Sequence, residues 1–161
     1  MAAQKEILLT LEGLTRLEKE LDVLKTLRRR EVAERIKQAL EFGDISENSE
    51  YEDAKNEQGF IEGRIIQIEN ILRNARLLDE ADVETDIVGL GSRVQIREVE
   101  SGENFEYLIV GSAEADPERD RISNESPVGK ALIGEKVGTR VDVAAPMGKL
   151  QYEILAINRM A

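Results

Sequence analysis

The sequence predicts an α+β protein: a long N-terminal antiparallel coiled-coil hairpin of two α-helices, then a small antiparallel β-sheet domain carrying one short helix. Three observations predict it. Apolar residues recur at three- and four-residue spacing on both sides of a polar turn that ends near Ser49. A period of two takes over after Val83, and turns bearing Gly or Pro punctuate the second half. The boundary is placed at 80/81, giving a hairpin over 1–80 and a globular domain over 81–161, with the linker near Asp79–Gly91.

Thr10 is placed to cap the first helix, and Leu11, Leu14, Leu17, Leu21 and Leu24 follow at helical spacing. The seam is interrupted at Arg28–Glu31 and resumes at Val32, Ile36 and Leu40. Nothing breaks the helix before Gly43, so roughly thirty residues at 1.5 Å each give a rod on the order of 45 Å long. The segment Phe42–Ser49 (FGDISENS) collects turn residues. Gly43 suits a helix C-terminus, either Ser46 or Ser49 suits the next N-cap, and Ser49 with Glu52 has capping-box spacing. A second seam runs through Tyr51, Ala54, Gln58, Ile61, Ile65, Ile68, Leu72 and Ala75. Neither stripe can be buried alone, so two long helices joined by a short turn must lie antiparallel.

Further on, Arg93–Val99 alternates, Ser101–Asn104 turns, and Phe105–Val110 returns. Thr139–Ala145 and Leu150–Ile157 form a second hairpin about the turn Pro146–Gly148. Between them, Pro127–Ile133 reads as a short helix opened by Pro and closed by Gly134.

Composition removes several classes of function. Hydrophobic residues are 41% and charged residues 34%, a foldable mixture that leans toward exposed helical surface. A net charge of −11 is the wrong sign for holding DNA or RNA unaided. Three Phe, three Tyr and no Trp are too few for a base-stacking platform. The absence of Cys and His excludes disulfides, thiolate sites, imidazole catalysis and the usual zinc sites. No signal peptide or membrane span is evident, so the expected location is the cytoplasm.

Charge concentrates at the turn between the helices. Glu41, Asp44, Glu47, Glu50, Glu52, Asp53 and Glu57 face one base, Lys55: seven acids against one, a net −6. A solvated turn with acids favouring the second helix's N-terminus accounts for most such runs. Here, however, the stretch mixes specialised residues (Gly43, Asp44, Asn48, Tyr51), and its self-repulsion has no evident partner charges. Asp44 and Glu47, three apart across the turn, are placed to converge on one cation. Mg²⁺ prefers oxygen ligands but keeps most of its waters, so two carboxylates alone make a poor site and suit one completed by another protein.

Gly43–Tyr51 (GDISENSEY), followed by Ala54-Lys55 and by Gln58–Arg64 (QGFIEGR), resembles the tip signature of the bacterial Gre transcript-cleavage and elongation factors, closest to their GreA-like branch. The resemblance extends through Leu21–Arg30 and into Ile122–Lys136 and Pro146–Leu155, which are similar to that family's FK506-binding-protein-like (FKBP-like) domain. It covers nearly the whole chain. It implies a hairpin that enters the secondary channel of bacterial RNA polymerase while the globular domain docks at the channel mouth. It further implies that Asp44 and Glu47 hold a shared Mg²⁺ and its attacking water, so that the polymerase hydrolyses its backtracked RNA. On this reading Gly43, Asn48, Glu50 and Tyr51 shape the tip, Lys55 contacts the nascent RNA 3′ segment, and Ser126 and Pro127 lie near the docking surface. The implied partners are the polymerase and the RNA within its complex, with no membrane, no independent DNA binding, a monomeric factor and no enzymatic activity of its own. The family's basic patch is weak here, because apolar Leu40 and acidic Glu41 stand where Lys55 needs a neighbour. That suggests cleavage of short extrusions, which RNA crosslinking along the arm with long ones would contradict.

Three other features have sufficient structural readings. Arg28–Arg30 face either polymerase and RNA or acids such as Glu62 and Glu69 on the partner helix, the second being favoured. Gln58 fixes register within the seam, and Tyr51 braces the tip by packing. A competing function is a channel-binding regulator without cleavage support, against which the intact Asp44 and Glu47 pair argues. A prolyl isomerase needs an aromatic-lined pocket, and beyond residue 80 only Phe105, Tyr107 and Tyr152 are aromatic.

Overall fold

The computed structural model describes residues 6–41, 48–146 and 148–160. Contacts divide the chain into an arm, spanning Glu12–Ala75, and a sheet unit built from Glu6–Leu11 together with the chain from Arg76 onward.

In the arm, the first helical stretch runs unbroken from Leu11 to Glu41 but not uniformly. Helix α1 (Leu11–Val23) passes through a π-helical turn, Leu24–Arg28, into α2 (Arg29–Glu41). This wide turn is the physical counterpart of the interrupted seam. The buried residues Leu17, Leu24, Val32 and Ala39 are spaced seven, eight and seven apart. One additional residue in the wide turn keeps the apolar stripe facing the partner helix, whereas a uniform α-helix would rotate it away. Two expectations are corrected by the same phase argument. Two turns beyond Val32 lie at Ala39, so Leu40 is 43% exposed, and Leu11 at the helix start is 67% exposed. The Thr26 hydroxyl donates to the Asp22 carbonyl at 2.7 Å within the irregular stretch.

Helix α3 (Ser49–Arg73) returns along the first and buries Ala54, Ile61, Ile65, Ile68 and Ile71. Its N-cap is Asn48, not Ser46 or Ser49: Ser49 is already the first helical residue, and Ser46 lies outside the described residues. Ala75 is not part of the helical seam. The helix ends at Arg73, and Ala75 opens a strand. Ion pairs run across the two helices: Lys25–Glu69 at 3.4 Å, Arg28–Glu57 at 2.6 Å, Arg29–Glu62 at 2.7 Å and Arg64–Glu20 at 2.7 Å, with Arg35 closing on Glu57 from a second side. Arg28 and Arg29 thus pair with the facing helix. Glu57, expected to add unrelieved charge, instead sits between two guanidinium groups.

Two glycines lie in the middle of α3. A Cβ added at Gly59 or Gly63 would meet nothing within 4 Å. Each therefore weakens the helix by about 1 kcal/mol relative to Ala without any intramolecular packing reason.

The sheet unit begins with a pairing that three-residue strands are too short to announce by periodicity. Strand β1 (Ile7–Leu9) pairs with β2 (Ala75–Leu77), so the N-terminal segment belongs with the second half of the chain rather than with the hairpin. The main sheet contains β3 (Ser92–Glu98), β4 (Asn104–Val110), β5 (Arg121–Ser123), β6 (Arg140–Ala145) and β7 (Gly148–Arg159), in the order β5-β4-β3-β7-β6. All neighbours are antiparallel except β5, which runs parallel to β4 at one edge. Both predicted hairpins form, and a bulge interrupts the β3–β7 register between Gln95 and Ile96. One face carries the core: Val94, Ile96, Ile109, Val141, Val143, Tyr152, Ile154 and Ile157, with Leu132 of the short helix α4 (Pro127–Leu132). Gly134, at φ +82°, ends that helix in a left-handed conformation that a side chain would resist. Gly129 lets α4 lie against its own lead-in, since a Cβ there would stand 2.0 Å from the Ser123 carbonyl oxygen.

The hairpin tip as candidate functional site

Three residues of the expected site, Gly43, Asp44 and Glu47, lie outside the described residues, and the geometry begins on either side of them. Helix α2 ends at Glu41 and α3 starts at Ser49. Asn48 joins the two. Its Oδ1 accepts from the Tyr51 amide at 3.1 Å, its Nδ2 donates to the Ala39 carbonyl at 2.6 Å, and its own carbonyl accepts from the Glu52 amide at 3.1 Å. One amide side chain thereby satisfies an orphan donor of α3 and an orphan acceptor of α2. It fixes the spacing of the two helix ends.

Tyr51 is half-buried and Ala54, one turn on, is fully buried, so packing closes the arm just behind the tip. Glu50 and Glu52 occupy the first turn of α3, where the helix dipole favours negative charge, and Asp53 follows. Among the described residues, Glu41, Glu50, Glu52 and Asp53 make no ion pair. Lys55 is exposed and donates to Gln58 Oε1 at 3.1 Å. Gln58 is half-buried in the seam. Farther along, the Arg29 guanidinium draws the Glu62 carboxyl below the usual carboxylate range, chiefly through their hydrogen bonds at 2.7 and 2.8 Å. Glu20 likewise raises Arg64.

Ser126 and Pro127 lie in the sheet unit. The Ser126 hydroxyl accepts from the Gly129 amide at 3.0 Å and donates to the Ser123 carbonyl at 2.6 Å, capping α4, while Pro127 opens that helix. Among the described residues, no cluster of three or more acidic side chains is arranged to hold a metal ion, and no helix is long and apolar enough to cross a membrane.

Two features were hidden from sequence reasoning. Asn48 as a double bridge was foreshadowed only by its N-cap preference and the acids that follow it. Glu114 is buried and accepts from both the amide and the hydroxyl of Thr10, 104 residues away, a pairing with no local signal.

A long two-helix arm bridged at its turn by Asn48, with acidic residues beside it, and a separate small antiparallel sheet unit are the features expected of the transcription elongation factors of the GreA/GreB type. Family models described as "Transcription elongation factor, N-terminal" and "Transcription elongation factor, GreA/GreB, C-term" match residues 7–77 and 83–159. The chain belongs to this family. It is 61% identical over 159 residues to the transcription elongation factor GreA of Acetivibrio thermocellus, covering 99% of this chain and all of that one. It is 57% identical to the GreA of a Clostridium botulinum strain, covering 99% of each. Among solved structures it is similar to the GreA factor homolog 1 of Thermus thermophilus, at 35% identity over 96% of this chain and 99% of that one, with a TM-score of 0.45.

Proposed function

We propose that this factor rescues backtracked bacterial RNA polymerase by inserting the arm through the secondary channel and stimulating cleavage of the extruded RNA. The observation that carries the reading is the intact motif Gly43–Tyr51, placed between the ends of α2 and α3 in a chain that matches the family over nearly its whole length. Asp44 and Glu47 would hold a Mg²⁺ shared with the polymerase. That ion, when bound, supplies Lewis-acid stabilisation and an activated water for phosphodiester hydrolysis. Asn48 sets the separation of the helix ends that flank both acids in the sequence. Gly43, Glu50 and Tyr51 shape the same tip. Lys55 faces the RNA 3′ segment, and Ser126 and Pro127 contribute to docking at the channel mouth. The hydrolytic chemistry belongs to the polymerase, so the factor is not itself an enzyme. It works as a cytoplasmic monomer, because an arm that enters a channel must be free.

The test is a stalled, backtracked elongation complex given the wild-type factor, Asp44→Asn or Glu47→Gln. Wild type should shorten the RNA from its 3′ end in a Mg²⁺-dependent way. Each variant should lose about 100-fold or more, the scale of removing one preorganised charge-stabilising group, while binding polymerase within about twofold of wild type. Equal loss of binding would assign the acids to docking, and binding without cleavage by wild type would make the factor a channel regulator instead.

A further inference from the structure

Helix α3 carries a second, unoccupied seam. Opposite the buried line of Ala54, Ile61, Ile65 and Ile68, the residues Asn56, Gly59, Gly63, Ile66 and Asn70 follow one another at spacings of three, four, three and four, and all are exposed. That is the repeat of a helix-packing stripe. None of the five is charged, although α3 holds nine charged residues among its 25. Large apolar groups project beside it: Phe60 is 74% exposed, and Ile66 within it 67%. A shallow hollow lies along it between Gly59, Phe60, Gly63, Arg64 and Gln67.

We infer that this outer face of α3 is a docking surface for an uncharged α-helical segment of the polymerase wall, with Gly59 and Gly63 admitting the partner's backbone and Phe60 covering its flank; the inference rests on the reading above. The glycines break the local helix preference with no compensation inside the chain, since no neighbour approaches either one. Close approach by an external element supplies the missing reason. The hollow's one cation, Arg64, is already committed to Glu20 at 2.7 and 2.9 Å and to Gln67 at 2.8 Å. The hollow itself thus offers no free positive charge, Lys55 lying one turn nearer the tip than Gly59, and it suits a neutral protein surface better than a phosphate backbone. A second copy of the chain is a poor occupant, because four turns of one helix bury far less than the roughly 1,200 Å² of a stable interface. As an extension of a tip-anchored contact the area suffices. Asn56 is seven residues from the start of α3, about 10 Å along its axis, so a channel that encloses the tip reaches the near end of this face first.

The experiment compares wild type, Gly59→Ala/Gly63→Ala and Phe60→Ala for thermal melting of the free factor, affinity for polymerase and transcript cleavage. The double glycine variant should melt above wild type yet bind polymerase about tenfold or more weakly, and Phe60→Ala should weaken binding similarly. A rise in melting temperature with unchanged affinity, while wild type binds and cleaves, would overturn the docking seam and leave the cleavage function standing. Wild type that binds but does not cleave would sink only the cleavage reading. Concentration-dependent dimers of wild type that Phe60→Ala abolishes would reassign the face to a second copy.

Discussion

The arm and the sheet unit bury apolar surface in different ways. In the arm, one narrow line of Ile and Leu side chains is shared by two helices, and its flanks are held by ion pairs whose partners remain substantially exposed, as with Lys25 and Glu69 at 41% each. In the sheet unit, strands β3, β4, β6 and β7 close over Val94, Ile96, Ile109 and Ile154, which are 0–1% exposed, with Leu132 sealing the layer. Exposed ion pairs contribute at most about 1 kcal/mol each, so in the arm they fix register more than they add strength.

The largest effects should therefore fall in the sheet unit. Ile154→Ala removes a side chain enclosed on every side and is expected to destabilise that unit by about 3–5 kcal/mol, whereas Ile65→Ala in the arm should cost about 2–3 kcal/mol, because two helices can close over the gap. Gly129→Ala should rank with the former, since its Cβ meets backbone rather than a flexible side chain. Residue-resolved amide exchange would report each unit by itself. An Ile65→Ala loss equal to that of Ile154→Ala would break the distinction.

A smaller, local effect is expected at Asn48. Replacing it by Ala removes the cap on Tyr51 and the bond to Ala39, for about 1–2 kcal/mol. Amides of the first turn of α3 should exchange faster while those around Ile65 and Ile68 stay protected. Asn48→Asp keeps the acceptor but loses the donor, and should fall between wild type and Ala. Spread of the effect along the whole arm would show that the tip and shaft open as one unit.

Much of this was legible beforehand, and the exceptions share a cause. The hairpin followed from 3,4 spacing, the two β-hairpins from alternation and turn residues, and α4 from Ser126-Pro127 and Gly134, all local signals. The arginine run was assigned to the facing helix because antiparallel helices bring opposite charges together; Glu62 does take Arg29, whereas Arg28 takes Glu57 and Glu69 takes Lys25. What escaped depends on distant or cumulative geometry. The π-helical turn is a phase correction visible only when both seams must meet, while the burial of Ala39 rather than Leu40 follows from ordinary helical phase two turns beyond Val32. Strand β1 is three residues long and joins a partner 68 residues on. Glu114 is explained only by Thr10. The outer stripe of α3 was present in the sequence, but periodicity there reads as noise until the inner face is known.

The smallest effect tests the comparison most finely, because groups shifted in the two units are shifted by different causes. Glu62 is lowered first by its hydrogen bonds from Arg29 and only then by charge, whereas Tyr107 and Tyr152 in the sheet unit are raised first by burial. A carboxyl lowered in the folded state contributes stability above its unfolded value of about 4.3, and that contribution disappears as pH falls through the folded value. A tyrosine raised in the folded state contributes below about 10 and loses its contribution as pH rises through the folded value. Carbon-detected titration of Glu62 should show its midpoint rise toward the ordinary range in Arg29→Gln. In about 1 M salt, where the screening length falls to about 3 Å, only part of the Glu62 shift should vanish, since bonded contact outweighs long-range charge. The tyrosine midpoints should stay nearly where they were, because salt does not rehydrate a buried ring. A Glu62 shift abolished by salt would instead make the arm's flanks purely coulombic, and its register would then loosen under ionic conditions that leave the sheet unit unchanged.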